Sequence, residues 1–297
     1  MASIKTSLVL GSGGARGLAH IGVIRCLEDR GYDIRYVAGS SMGALIGGIY
    51  AAGKLDVYAN WVCALQKSDI VRLLDWSLGG GALFKGDRLI GVLKDLIGDR
   101  NIEDLPVGYT AVATDLSRDS AGREVWLNRG PLFDAIRASI AVPTLFEPSK
   151  KNGRLMVDGG IVNPVPVAPT LNDQTDITVA VDLNGKREPA SRLLPPDSRP
   201  ASVLPAAYRE NISRYIDKVW PSADGPGPER IGFLDLVTRS METMQATITQ
   251  FKLAASVPAV IVRIPRNVCD FFDFYRAQEL IDYGYRRTEH ALREYEQ

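Results

Sequence analysis

The chain has 297 residues, of which 45% are hydrophobic, and its Lys and Arg residues equal its Asp and Glu residues in number, at 35 each. The formal net charge of zero gives no overall attraction for nucleic acid, so we expect no nucleic-acid partner. Cys26, Cys63 and Cys269 stand singly, without the paired spacing of a metal site, which favours a reducing compartment and argues against a metal.

No apolar run approaches the length of a membrane span, and residues 1–5 leave no room for a secretory signal ahead of the first predicted strand. We therefore expect a cytoplasmic protein. Peripheral contact with a membrane is an open alternative.

A glycine-rich loop follows the first predicted strand. Residues 6–10 are typical of a strand, the loop Gly-Ser-Gly-Gly-Ala-Arg-Gly covers residues 11–17, and apolar residues at helical spacing predict a helix over 18–27. Backbone amides at such a helix start bind phosphate or an oxyanion. We predict an oxyanion hole formed by the amides of Gly13 and Gly14, with Ala15 as a further candidate donor.

A dinucleotide site is the alternative for this loop, and the sequence fits it badly. In the fingerprint G-x-G-x-x-G counted from Gly11, the sixth position is Arg16. The second predicted strand also ends in small residues rather than in the acidic residue that holds a ribose. We therefore expect no cofactor. Arg16 and Gly17 are predicted to support the loop, and attraction of an anionic head group is the alternative for Arg16.

The most informative motif is Gly39-Ser40-Ser41-Met42-Gly43. It joins a predicted strand over 34–38 to a small, apolar helix over 42–52, and a G-x-S-x-G segment in that position indicates a nucleophile elbow. Gly39 and Gly43 permit the sharp turn that exposes a serine hydroxyl. The spacing selects Ser41 rather than Ser40 as the nucleophile.

A serine hydroxyl needs a base to remove its proton, and histidine is the usual one. The chain has two histidines: His20 lies in the first predicted helix and His290 in a charged terminal helix. We interpret His290 as a solvated surface residue and His20 as a helix residue with a local partner, support of the glycine loop being the alternative. Neither histidine is predicted to be the base.

A carboxylate at the end of a strand is the other candidate base. Asp158 follows a predicted strand over 154–157 and precedes Gly159 and Gly160, which would hold it on a tight turn. Asp115 and Asp182 also end predicted strands, and spacing alone does not choose among the three acids. The two glycines favour Asp158.

Taken together and in this order, the segments 11–17, 39–43 and 158–160 resemble the patatin-like phospholipase family. The resemblance extends from residue 6 to about 183 and returns weakly from residue 260. It implies a serine–aspartate dyad without histidine, with Ser41 as the nucleophile and Asp158 as the base. Ser12 departs from the family pattern, because many members have a glycine there, but it leaves the amides of the loop in place.

The function implied by this resemblance is hydrolysis of carboxylic esters of acyl lipids (phospholipid, lysophospholipid or simpler ester) through an acyl-serine. An acyltransferase would share the acyl-enzyme and differ in the acceptor. A non-catalytic lipid-binding protein would keep the fold without the activity. Both alternatives stay open at the level of the sequence.

Strands and helices alternate to about residue 183, which predicts an α/β fold with a mostly parallel sheet between two helical layers. We expect a single domain over 1–297 with its core over 6–183. The proline-rich segment 186–230 is predicted to be largely loop, with one amphipathic piece that is a lid, a membrane-touching helix or a helix packed on the domain.

The C-terminal part, 231–297, is predicted to form a helix, a strand and a helix that pack on the core. The helix over 231–255 carries an apolar stripe, which we interpret as core or as the contact surface of a homo-oligomer. The stripe consists of Phe233, Val237, Met241, Met244, Ile248 and Phe251.

Overall fold

A computed structural model describes residues 3–77, 82–151, 153–189, 191, 193 and 233–297. The predicted proline-rich segment 186–230 therefore lies almost wholly outside the described residues. The strands are β1 (Ile4–Leu10), β2 (Tyr32–Ser40), β3 (Ala82–Phe84), β4 (Gly108–Asp115), β5 (Arg123–Leu127), β6 (Thr144–Phe146), β7 (Ser149–Lys151), β8 (Arg154–Asp158), β9 (Ile177–Gly185) and β10 (Val260–Pro265).

The helices flank these strands along the chain. They are α1 (Ala19–Asp29), α2 (Met42–Ala51), α3 (Leu55–Ala64), α4 (Lys67–Leu73), α5 (Asp87–Ile97), α6 (Leu132–Ser139), α7 (Phe233–Ala255) and α8 (Ala277–Tyr295).

A mixed, mostly parallel sheet forms the centre of the fold. Its hydrogen-bonded order is β10-β9-β1-β2-β4-β8-β7, with β5 also paired to β4. The run from β10 to β4 is parallel throughout, whereas β5 and β8 are antiparallel to β4. β3 and β6 form a separate small sheet.

The alternation of side chains along β1 shows how the sheet is covered. Leu8 and Leu10 belong to the main core with residues of α1, α2 and α8, whereas Val9 belongs to a second cluster with Leu253 of α7. Because successive side chains of a strand point to opposite faces, helices cover both faces of the sheet. The predicted three-layer α/β/α arrangement is confirmed.

The pairing of β4 brings two distant strand ends together. β5 pairs with residues 111–115 along one edge of β4. β2 pairs with residues 108–112 and β8 with residues 113–115. Because β5 occupies the first edge, β2 and β8 both lie along the other edge. β2 and β8 run in opposite directions along that edge, and their last residues, Ser40 and Asp158, pair with the neighbouring residues Val112 and Ala113. The two strands therefore end against each other.

Helix α7 forms where the sequence predicts it, but the interpretation of its apolar stripe as core is wrong for two members. Met244 is 55% exposed and Phe251 is 73% exposed, whereas the polar residues Gln245 and Thr249 are buried. The alternative, that the exposed residues contact a second copy of the chain, stays a prediction. The side chain of Phe233 lies outside the described residues.

Candidate active site

Ser41 occupies a strained turn between β2 and α2. Its backbone has φ 55 and ψ −121, a positive φ that side chains other than glycine rarely adopt. Gly39 and Gly43 make the turn possible, because a Cβ on Gly39 would lie 2.3 Å from the Gly43 carbonyl oxygen and one on Gly43 would lie 1.9 Å from the Leu10 carbonyl oxygen. The segment therefore has the geometry of a nucleophile elbow.

The backbone of this turn is held by Ser139, a residue that the sequence did not single out. The Ser41 amide donates to Ser139 Oγ at 2.9 Å, and Ser139 Oγ donates to the Val112 carbonyl at 2.6 Å. Ser139 thus connects the last turn of α6, the central strand β4 and the elbow. A serine in a helix gives no sign in the sequence of such a role, because its partners lie far away along the chain.

Asp158 lies at the end of β8, beside the elbow, and only 1% of its surface is exposed. Its Oδ1 accepts a hydrogen bond from the Gly160 amide at 2.7 Å, and its carbonyl accepts one from the Thr114 hydroxyl at 2.9 Å. Burial raises the pKa of Asp158 to about 7, and the Ser41 hydroxyl and Gly160 amide oppose this rise. Oδ2 has no hydrogen-bond partner among the described residues.

The two glycines after Asp158 are required by their surroundings. A Cβ on Gly159 would lie 2.1 Å from the Val112 carbonyl oxygen and 2.7 Å from Ser40 Oγ. A Cβ on Gly160 would lie 2.5 Å from Ser12 Oγ. The aspartate turn is therefore packed directly against both the elbow and the glycine loop.

Two of the three predicted amides of the glycine loop have no hydrogen-bond partner among the residues that the structure describes. The Ala15 amide donates to the Phe271 carbonyl at 2.9 Å, so the prediction that Ala15 is a candidate oxyanion donor is wrong. None of the hydrogen bonds between described residues uses the amide of Gly13 or Gly14. Gly14 has φ +55 and lies under the Phe271 ring, where a Cβ would come within 2.6 Å of a ring carbon.

Arg16 and Gly17 fix this loop to the rest of the molecule. Arg16 is 1% exposed, forms an ion pair with Glu242 of α7 at 2.8 Å and donates to the Arg266 carbonyl at 3.0 Å. A Cβ on Gly17 would lie 2.4 Å from the Cβ of Met42, so Gly17 lets the loop pack against the elbow helix. This geometry agrees with the predicted bracing role of both residues.

The remaining titratable candidates have other partners. His20 is buried, its Nε2 hydrogen-bonds the Gly11 carbonyl at 2.9 Å, and burial lowers its pKa to about 4. His20 therefore supports the glycine loop, which was the alternative interpretation of this residue. His290 is exposed on α8 beside Glu294, as predicted. Asp115 contacts Arg154 and Arg123, and Asp182 accepts from the Asn184 amide.

A large apolar cavity opens beside Ser41. It encloses about 860 Å³ of space, part of it open to solvent, between α2, α3, α4 and the segment 271–274. Its walls are almost entirely hydrocarbon and aromatic, which suits an extended apolar ligand. Lining residues include Met42, Leu45, Tyr58, Trp61, Leu73 and Phe274.

The described residues contain no group of three or more His, Cys, Asp or Glu side chains that could hold a metal ion. No helix within the described part of the chain is long and apolar enough to cross a membrane.

Comparison with known proteins places the chain in a family. A family model described as patatin-like phospholipase matches residues 8–171, more than half of the chain. An uncharacterized NTE family protein of Mycobacterium tuberculosis is 37% identical over 337 residues, covering 99% of this chain and 93% of the relative. The chain belongs to the patatin-like phospholipase family, and this membership supports a lipid acyl hydrolase in general terms.

Other similar proteins cover smaller parts of their own lengths. A patatin-like phospholipase domain-containing protein of Caenorhabditis elegans is 38% identical over 61% of this chain, but the match spans 14% of that protein. Patatin-like phospholipase domain-containing protein 7 of Rattus norvegicus is 30% identical over the same shares of the two chains. VipD of Legionella pneumophila matches in structure with a TM-score of 0.45 and 14% identity, covering 99% of this chain and 67% of VipD.

Proposed function

We propose that this protein is a serine hydrolase that cleaves carboxylic ester bonds of acyl lipids, with Ser41 as the nucleophile and Asp158 as its base. The observation that carries the proposal is that β2 and β8 end against each other along the same edge of β4. It brings a serine on a strained elbow beside a buried carboxyl group whose pKa is raised to about 7. A carboxylate of this basicity is suited to general-base work near neutral pH.

The acylation step uses the free amides of the glycine loop. Ser41 Oγ attacks the ester carbonyl carbon, and Asp158 accepts the hydroxyl proton directly or through one water. The carbonyl oxygen becomes an oxyanion, and the amides of Gly13 and Gly14 are its proposed hydrogen-bond donors. When the carbon–oxygen bond of the ester breaks, Asp158 returns the proton to the departing alcohol.

The second step releases the fatty acid. A water molecule attacks the acyl-serine carbonyl while Asp158 removes one of its protons. Collapse of the oxyanion breaks the bond to Ser41 Oγ, which recovers its proton from Asp158. Each turnover therefore returns both residues to their starting protonation states, and water supplies the hydroxyl group of the product acid.

The apolar cavity supports an acyl lipid as the substrate class. Ser41 lies at its margin, and the rest of the wall is formed almost entirely by hydrocarbon and aromatic side chains. Each buried methylene contributes about 0.8 kcal/mol to binding, so a long hydrocarbon chain gains far more there than a short one. The cavity is the proposed site of the acyl chain.

The test is covalent labelling of the active serine. The protein is incubated with an alkyl fluorophosphonate, and the adduct is located by intact mass and peptide mapping. We expect the parent protein to form one adduct, on Ser41. The Asp158→Asn variant should form this adduct at least about 100-fold more slowly, because general-base assistance typically contributes 10²–10⁴-fold to the rate. Ser40→Ala serves as the matched control and should label at a rate close to that of the parent.

Two results would contradict the proposal. One is a lack of adduct under conditions that label a known serine hydrolase. The other is an equal rate of fluorophosphonate labelling in the parent and in Asp158→Asn, because Asp158 would then not act as the base.

A further inference from the structure

A small space lies beside Ser41 and is distinct from the apolar cavity. It has room for about one water molecule, so it suits a water rather than an acyl chain. Most of its surface is hydrocarbon, to which Val237 and Met241 of α7 contribute. The polar side chains that line it include those of Ser12, Ser41, Asp158 and Gln245.

Three of these polar side chains converge next to Gly160. A Cβ on Gly160 would lie 2.5 Å from Ser12 Oγ, 2.7 Å from Gln245 Nε2 and 2.9 Å from Asp158 Oδ1. The three atoms belong to the glycine loop, to α7 and to the aspartate turn, and they come together because Gly160 has no side chain. A bound water needs two to four polar partners, and this cluster supplies three.

The hydroxyl of Ser12 is available for such a water. Ser12 is 3% exposed, and its backbone is held on both sides, because its amide donates to the Pro164 carbonyl at 2.8 Å and its carbonyl accepts from Asn184 Nδ2 at 3.3 Å. The Ser12 hydroxyl has no hydrogen-bond partner among the residues that the structure describes. The loop therefore fixes the position of Ser12 and leaves its hydroxyl to line the small space.

The second step of the proposed mechanism needs a water at this location. That water must reach the acyl carbon on Ser41 and give a proton to Asp158. Both residues line the small space, whereas Asp158 does not line the apolar cavity that is the proposed site of the acyl chain. A water in the small space therefore lies between the acyl-serine and its base.

A water and an alcohol differ in what they can offer Ser12. A water has two O–H groups: one donates to Asp158 and the second can donate to Ser12 Oγ, while Gln245 Nε2 donates to the water oxygen. An alcohol has one O–H group, which Asp158 requires, and a carbon in place of the other. The contact with Ser12 therefore stabilises a water as the acyl acceptor and not an alcohol.

We propose that this space binds the water that hydrolyses the acyl-enzyme, and that Ser12 is a specificity-determining residue that favours hydrolysis over acyl transfer to an alcohol. The water oxygen bonds to the acyl carbon, one water proton passes to Asp158, and the bond to Ser41 Oγ then breaks as Ser41 regains its proton. This inference rests on the proposed function.

The experiment measures how the acyl-enzyme divides between two acceptors. The parent and Ser12→Ala react with 4-nitrophenyl octanoate in the presence of methanol, and octanoate and methyl octanoate are quantified by gas chromatography. We expect the ratio of methyl octanoate to octanoate to rise about fivefold in Ser12→Ala, the factor that one hydrogen bond of about 1 kcal/mol represents. Only active molecules form products, so a loss of folded protein does not change this ratio. An unchanged or lower ratio would overturn the inference.

Removal of the Ser12 hydroxyl also creates room, and a larger alcohol separates this effect from loss of the water contact. If hydrolysis alone is slowed, the ratios measured with methanol and with ethanol should rise by the same factor. Extra room would instead favour ethanol more than methanol. A rise that is confined to ethanol would therefore count against the proposed contact with water.

Ser40→Ala is the matched control, because it removes a second buried serine hydroxyl close to the aspartate turn. Ser40 Oγ would lie 2.7 Å from a Cβ on Gly159, but Ser40 does not line the small space. Its ratio of methyl octanoate to octanoate should equal that of the parent. A rise in Ser40→Ala as large as that in Ser12→Ala would show a general disturbance of the turn and would overturn the assignment of Ser12.

The two proposals fail in different ways. If 4-nitrophenyl octanoate is not cleaved and Ser41 is not labelled by the fluorophosphonate, the proposed function fails. If the ester is cleaved through Ser41 but Ser12→Ala divides the acyl group between water and methanol as the parent does, only the assignment of Ser12 fails.

Discussion

At the scale of single residues, the titration of Asp158 sets the pH at which the proposed nucleophile is activated. Only the carboxylate form accepts the Ser41 proton, and burial raises the pKa of Asp158 to about 7. We therefore expect kcat/KM for an uncharged ester to rise with pH and to reach half of its plateau near pH 7. The measurement is kcat/KM for 4-nitrophenyl octanoate between pH 5 and pH 9, corrected for spontaneous hydrolysis.

The control for this profile is His20, the buried histidine near the glycine loop. Burial lowers its pKa to about 4, so it stays neutral across this range and does not contribute the half-maximum. His20→Gln should lower the plateau, because the support of the Gly11 carbonyl changes, and leave the midpoint in place. A midpoint near 4, the ordinary value for an aspartate, would contradict the assignment of Asp158 as a buried base.

The sequence predicted the position of the residues better than their environment. Ser41 follows from the G-x-S-x-G spacing, but spacing alone does not separate Asp158 from Asp115 and Asp182. All three aspartates are buried, and only their partners, which lie elsewhere in the fold, distinguish them. The error at Ala15 has a similar origin. Its amide is engaged by the carbonyl of Phe271, and a partner so distant along the chain leaves no local signal.

At the scale of the elements, the elbow between β2 and α2 depends on the absence of side chains. A Cβ on Gly43 would lie 1.9 Å from the Leu10 carbonyl oxygen, so Gly43→Ala must push the first turn of α2 away from β1. We expect it to lower the free energy of unfolding by more than about 2 kcal/mol, as overpacking a core does. Urea unfolding followed by circular dichroism measures the change.

Gly91, an exposed residue of helix α5, provides the matched substitution. A Cβ there meets nothing within 4 Å, and alanine is favoured over glycine in a helix by about 0.5–1 kcal/mol. Gly91→Ala should therefore stabilise the protein by that amount. If Gly43→Ala were as stable as the parent, the backbone of Gly43 would not lie as close to the Leu10 carbonyl oxygen of β1 as this prediction requires.

Helix α7 shows what a periodic pattern can and cannot predict. Apolar residues at helical spacing predict the helix over nearly its full length, and their stripe predicts either a buried face or a contact surface of a homo-oligomer. The structure instead buries Gln245 and Thr249 and exposes Met244 and Phe251. A pattern identifies the faces of a helix, but the neighbouring elements decide which face is buried.

At the scale of the whole molecule, the site exists because of the strand order. Alternating elements predicted a mostly parallel sheet, but nothing local indicates that β8 would enter antiparallel on the same edge of β4 as β2. That arrangement joins residues 41 and 158 at the boundary between a parallel and an antiparallel region. It also places Asp158 in the interior, where its charge costs stability.

The free energy cost of that charge leads to a prediction about pH and stability. The pKa of Asp158 is about 7 in the folded protein and near 3.8 when unfolded, so the folded state binds the proton more tightly. The contribution of the Asp158 carboxyl to the free energy of unfolding is fully present below the unfolded pKa. It decreases by up to about 4 kcal/mol as pH rises through 7. Asp158→Asn cannot ionise and avoids this loss.

Asp158→Asn should therefore unfold at a higher temperature than the parent at pH 8, and its advantage should shrink as the pH falls towards 4.5. His20 shifts stability in the opposite direction, because its lowered pKa makes folding less favourable as pH falls below 6.5, but it is present in both proteins and cancels in the difference. Differential scanning calorimetry at pH 4.5, 6 and 8 measures the two melting temperatures. A difference that does not vary with pH would show that the Asp158 carboxyl ionises equally easily in the folded and unfolded chains, and the proposed base would then lack the basicity that the mechanism needs.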